Sequence, residues 1–97
     1  MADETHAHVM ALIDPWNHRS LLTFLKKTLM PEMSLNLDMK LDPEDAVECL
    51  QIVFDAFGMD SDQVMFSRYY PRNPREAIPL TIDMLIESVR AGHWCYE

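Results

Sequence analysis

The chain predicts an all-α domain, a small bundle of three or four helices, on three observations. Nearly half of its 97 residues are apolar, yet it holds only two glycines and eight methionines and has few β-branched runs, a composition suited to helices. Apolar residues recur at helical spacing in three separate stretches. Two of those stretches carry start signals, Asp42-Pro43 and Thr81, and each is followed by a glycine where a helix would stop. The length makes a single domain near the small end of what buries its own core unaided.

The first helix is expected over Thr5 to Asp14, with Val9, Met10, Leu12 and Ile13 on its apolar side. Asp14-Pro15 interrupts it. From there the residues permit two readings, a second helix carrying Trp16, Leu21, Leu22, Phe24 and Leu25, or a loop. The clearest element starts at Asp42. Aspartate suits the N-cap and Pro43 the first helical position, where a missing N–H is no loss, while Glu44 and Asp45 favour the positive end of the dipole. Its expected seam is Val47, Leu50, Val53 or Phe54, and Phe57, with Gly58 as a left-handed stop. Between Gly58 and Pro79 no long helix fits, because polar caps and a loop with three prolines and three arginines break the pattern. The last helix begins at Thr81, buries Ile82, Leu85, Ile86 and Val89, places Asp83 near its start and Arg90 in its final turn, and stops at Gly92.

Charge and cysteine usage narrow the function classes. Sixteen acidic against eight basic residues give a formal charge of −8, which repels phosphate backbones and anionic lipid heads, so nucleic acid and membrane are not expected partners and a protein with a basic patch is. Met1-Ala2-Asp3-Glu4 is acidic where a secretory signal is basic, and no apolar run approaches spanning length, so a cytoplasmic protein is expected. Cys49 and Cys95 are too far apart in sequence for a zinc-type cluster and are expected as reduced thiols. His6 with His8, and His93 with Cys95, are two apart and point to different faces of any helix, so no metal is expected. No acid–base pair, activated nucleophile or glycine-rich phosphate loop can be assembled, so neither catalysis nor a cofactor is expected.

Ser34-Leu35-Asn36-Leu37-Asp38-Met39-Lys40-Leu41-Asp42-Pro43-Glu44-Asp45-Ala46-Val47-Glu48-Cys49-Leu50, continuing to Phe57, resembles the second-helix region of acyl carrier proteins without a gap. Ser34, Asp38, Asp42, Asp45, Val47, Glu48 and Phe57 agree with that pattern. Three departures remove carrier chemistry. Lys40 stands for the glycine before the arm site, Pro43 for the serine that bears phosphopantetheine, and Glu44 for the exposed leucine that carrier enzymes grip. The closer resemblance is to a small bacterial family of carrier-like proteins of unknown function that commonly lacks the serine and carries an aromatic insertion similar to Phe66-Ser67-Arg68-Tyr69-Tyr70-Pro71. The resemblance implies an acyl-carrier-type bundle with an enlarged loop before the last helix, and favours a partly ordered loop through Pro31 with one helical segment around Leu21 to Leu29.

Two surfaces are therefore candidates for contact with a partner. From Asp42 to Asp62 the acids Asp42, Glu44, Asp45, Glu48, Asp55, Asp60 and Asp62 occur without one lysine or arginine. Capping explains the first three, and a solvated helix face is the plain alternative for the rest. Arg68-Tyr69-Tyr70-Pro71-Arg72-Asn73-Pro74-Arg75 combines arginine with tyrosine, the residue types enriched at binding hot spots. Its tyrosines are equally suited to covering the bundle, and its arginines to pairing with the acidic helix, in the same molecule or in a second copy as a homodimer. The function expected is a cargo-free carrier-like module that binds another protein. The alternatives are a carrier modified at another serine, Ser34, Ser61 or Ser67, and a small acidic inhibitor of a basic enzyme.

Overall fold

The computed structural model describes residues 4–17 and 29–96. Among the described residues three α-helices run Glu4–Ile13 (α1), Pro43–Ala56 (α2) and Ile82–Ala91 (α3), with short 3-10 turns at Asp14–Trp16, Ser61–Gln63, Phe66–Arg68 and Pro74–Glu76. Among the described residues there is no strand, only an isolated antiparallel bridge between Ser34 and Thr81. The fold is all-α, and short 3-10 turns fill the stretch before the last helix. The choice between helix and loop after Pro15 falls mostly on residues 18–28, outside the described residues. At its described ends the chain makes one 3-10 turn through Trp16 and is non-helical at Leu29 and Met30.

α1 buries Val9 and Ile13 and packs on both α2 and α3. Met10 and Leu12 are only half-buried, so the inward stripe is narrower than the four residues expected. α2 begins at Pro43 with Asp42 as N-cap, but the Asp42 side chain makes no capping hydrogen bond. The proline's preset φ and the acids of the first turn act in its place. At the far end Gly58, at φ 68°, is left-handed. The Met59 N–H donates to the Phe54 carbonyl at 2.8 Å and the Gly58 N–H to the Asp55 carbonyl at 3.2 Å, the Schellman arrangement. Its inward residues are Ala46, Cys49, Leu50, Val53 and Phe54. Val47, expected in that seam, is instead exposed. The seam is centred one residue earlier, because α1 and the tail residue Trp94 meet the side that carries Phe54 and Val53.

The first turn of α3 shows how the helices are tied. The Ile82 N–H donates to the Met33 carbonyl at 3.0 Å, the Asp83 N–H to the Pro31 carbonyl at 2.8 Å, and the Met84 N–H to the Thr81 hydroxyl at 3.3 Å. With the Thr81 N–H 3.4 Å from the Met84 sulfur, all four orphan donors of this helix start are met, two of them by the loop that leads into α2. Beyond Gly92, Trp94 folds back and is buried beside Phe54 and Tyr69, closing the bundle. The Ser88 hydroxyl accepts from the Cys95 N–H, the Gln63 side-chain oxygen accepts from the Trp94 N–H, and the Tyr96 hydroxyl donates to Glu87.

Candidate functional site

The loop before α2 is built on a four-residue turn. The Ser34 hydroxyl donates to the Asp38 carboxylate at 3.1 Å and accepts from the N–H groups of Leu37 and Asp38 at 3.1 and 3.0 Å, while the Ser34 N–H donates to the same carboxylate at 2.8 Å. Two of the residues that carry the resemblance are thus a structural pair. Ser34 is buried and its hydroxyl fully engaged, so it is closed to any transferase. Ser61 is half-buried at the head of a 3-10 turn and Ser67 is exposed in another, neither at the start of α2.

Lys40 follows that turn at φ 54°, the only described residue other than glycine in the left-handed region. This conformation costs an L-residue about 1–2 kcal/mol and favours glycine. It falls on the position where the resemblance places a glycine. Pro43 follows as the first residue of α2, exposed and without a hydroxyl.

α2 presents one charged crest. At about 100° per residue, Glu44, Asp55 and Glu48 fall within an arc of about 40°, opposite the centre of the buried side. All three are exposed, as are Gln51 between them and the aliphatic residues Val47 and Ile52 to either side. Asp42 is exposed ahead of the crest, and Asp45 lies half-buried on its flank. Asp60 and Asp62 belong elsewhere, to an open polar groove of about 580 Å3 at the C-terminal end of α2 that Asp55 also borders.

The two tyrosines of the loop take different roles. Tyr69 lies in the core, edge-on to Trp94 with ring centroids 6.3 Å apart, so it supplies packing and no partner reaches it. Tyr70 is half-buried, stacks on Phe66 at 4.7 Å and donates its hydroxyl to the Leu41 carbonyl at 2.8 Å, fastening the loop to the start of α2. Burial first, then the charges of Asp42, Cys49 and Asp45, pushes its phenol up to about 12. Arg68, Arg72 and Arg75 are exposed. Tyr70, Pro71 and Pro74 form, with Leu37 and Pro43, the walls of an open and largely apolar cleft of about 210 Å3.

Sequence reasoning passed over Asn36. Its side-chain amide donates to the carbonyls of Tyr69 at 2.9 Å and Ile78 at 2.8 Å, and its oxygen accepts from the Leu80 N–H at 3.0 Å. One side chain thereby holds both ends of the aromatic loop. Its partners lie 33, 42 and 44 residues away, so no local pattern marks it.

Cys49 is fully buried, and desolvation, with Glu48 adding to it, pushes its thiol up to about 12, so it is no nucleophile. Cys95 is exposed. Among the described residues no group of three metal-ligating side chains comes together, and no described helix is long and apolar enough to cross a membrane. A family model described as a protein of unknown function, DUF1493, matches residues 2–97. No curated protein and no solved structure matches the chain.

Proposed function

We propose that this chain, which belongs to the DUF1493 family, is a non-enzymatic, cargo-free module of the acyl-carrier type that works by binding a basic protein surface through α2. The observation that carries the reading is the crest of Glu44, Glu48 and Asp55, fully outward and bordered by the exposed aliphatics Val47 and Ile52. Charge that steers a partner, beside apolar surface that holds it, is the usual composition of a contact patch. A helix face evolved only for solubility needs no aliphatic border. The carrier-type reading is supported by the left-handed backbone at Lys40, in register with the glycine of the resembled pattern. The cargo-free reading is supported by Pro43 at the arm position and by the engaged hydroxyl of Ser34.

Two measurements test it. The intact mass is recorded before and after incubation with a promiscuous phosphopantetheinyl transferase and coenzyme A. An unchanged mass agrees with the reading, and a gain equal to the arm overturns its cargo-free half. The immobilised chain is then used for capture from a lysate of its native host, beside a Glu48→Lys/Asp55→Lys variant of unchanged helical content. Loss of the captured protein in the variant is expected. Capture that survives moves the interface off α2, and a basic enzyme inhibited by the chain would make it an inhibitor.

A further inference from the structure

Two further features lie at opposite ends of α2, the first sharing Asp55 with that crest. At the C-terminal end is the open groove bordered by Gln51, Asp55, Asp60, Ser61 and Asp62, with no basic residue among its described walls. At the N-terminal end Pro71 and Pro74 line the apolar cleft with Pro43, and the residues that follow each of these loop prolines, Arg72 and Arg75, are exposed. Between the ends the chain returns along α2. Asp62, Val64 and Phe66 meet Val47, Leu50 and Gln51 around a shallow hollow of about 170 Å3, and Phe66 stacks on Tyr70. This side of the molecule is thus acidic at one end and carries arginines at the other. Its middle exposes aliphatic side chains, Val47 at 38 % and Met65 at 53 %, beside the polar Gln51 and Ser61.

Such a side is complementary to itself. A two-fold axis perpendicular to α2 through this middle lays the acidic end of one copy over the arginine end of the other, and does so twice. α2 is about 21 Å long, more than two Debye lengths at physiological salt, so its two ends act as separate charged patches. Asp42, Glu44 and Glu76 share the arginine end and lower its net charge, so the contact depends on Arg72 and Arg75 reaching into the groove, not on the average field. The formal charge of −8 on each copy opposes association. That repulsion acts over long distances and is screened at about 8 Å, whereas pairs in contact are screened far less.

We propose that a second copy of this chain is a partner of α2: Arg72 and Arg75 of each copy enter the Asp55–Asp60–Asp62 groove of the other, with Val47 and Met65 at the centre of an antiparallel, isologous dimer. This rests on the reading of α2 as a contact surface and names one occupant of it.

Sedimentation velocity of the whole chain tests it, at concentrations up to about 100 µM, where an interface of about 10 µM affinity is largely filled. The samples are the wild type, Arg72→Glu/Arg75→Glu, Asp55→Lys/Asp60→Lys, and an equimolar mixture of the two reversed variants. All the substituted positions are exposed, and an unchanged circular dichroism spectrum confirms folding. The wild type is expected to dimerise at physiological salt, where the long-range repulsion between copies is screened. Each reversed variant alone is expected to be monomeric, and the mixture to form dimers again, because the reversed positions in the mixed dimer all meet opposite charges, with only Asp62 left unreversed. A monomeric wild type, reversed variants that dimerise as the wild type does, or a mixture that stays monomeric each overturns the inference. A monomeric chain whose capture of another protein still depends on Glu48 and Asp55 removes the second copy while leaving the proposed function standing.

Discussion

Replacing Asn36 with alanine removes three hydrogen bonds, and the structure allows their loss to be weighed. The bond to the Leu80 N–H matters most, since Leu80 is fully buried and its donor would be left without a partner, at about 1.5 kcal/mol. The bond to the carbonyl of buried Tyr69 is worth about 1 kcal/mol, and the one to exposed Ile78, where water can substitute, about 0.5 kcal/mol. The expected destabilisation is therefore about 3 kcal/mol, a large share of the roughly 5–15 kcal/mol that holds such a domain together. At roughly 4–8 °C per kcal/mol for a chain of this size, the midpoint of thermal unfolding should fall by at least about 12 °C. Circular dichroism at 222 nm reads this directly, and urea unfolding at fixed temperature gives the free energy. Asn36→Asp sharpens the test. It keeps an acceptor for Leu80 but sets a carboxylate oxygen against the two carbonyls, so it should be at least as harmful at neutral pH. It should recover in part as acid restores a proton to donate. An alanine variant within about 0.5 kcal/mol of wild type, or an aspartate variant that is harmless at neutral pH, would refute the assignment of Asn36 as the tie of the aromatic loop.

Lys40→Gly should stabilise the fold by about 0.5–1 kcal/mol, because relief of the left-handed strain exceeds the added freedom of glycine in the unfolded chain, and Lys40→Val should destabilise it; paired thermal melts decide. Cys49 and Tyr70 are both held neutral in the fold, with pKa values raised to about 12. The unfolded chain releases these protons first, so it binds fewer than the native state, and stability should be unaffected below about pH 9 and decline between about pH 9 and 12. Cys49 contributes up to about 1.4 kcal/mol per pH unit, and Cys49→Ala should flatten the decline measured by urea unfolding across that range. A thiol reagent should label Cys95 at once and Cys49 only after denaturation, a stoichiometry that mass spectrometry reads. Trp94→Ala should cost about 3–5 kcal/mol. Trp94→Phe should cost far less, since the buried indole N–H has no hydrogen-bond partner among the described residues and its removal offsets lost area; equal losses in the two variants would contradict this.

The parts of the fold that could be read in advance are those specified within a few residues. Asp42-Pro43, Thr81, Gly58 and Gly92 start and stop α2 and α3 where expected, because a cap, a preset φ or a left-handed glycine acts on its immediate neighbours. The absent hydroxyl at Pro43 and the run of acids without a base from Asp42 to Asp62 are equally plain from the residues alone. Burial was harder to read. Val47 is as apolar as Val53, and only the packing of α1 and Trp94 against one side of α2 leaves the first exposed and the second buried. Tyr69 and Tyr70 are identical neighbours, and successive residues of the loop point in different directions, one into the core and one across its edge to the Leu41 carbonyl.

The sequence by itself determined that the chain is helical, where its second and third helices begin and end, and that no serine stands at the start of α2. Tertiary structure alone decided which side of α2 is outward, that Asp60 and Asp62 stand off the crest in a groove that only Asp55 shares with it, and that Asn36 fastens the aromatic loop. Caps and turns are short-range interactions whose partners lie within about six residues, so their pattern is written along the chain. Burial and long-range hydrogen bonds join residues tens of positions apart, and their partners exist only once the helices have packed.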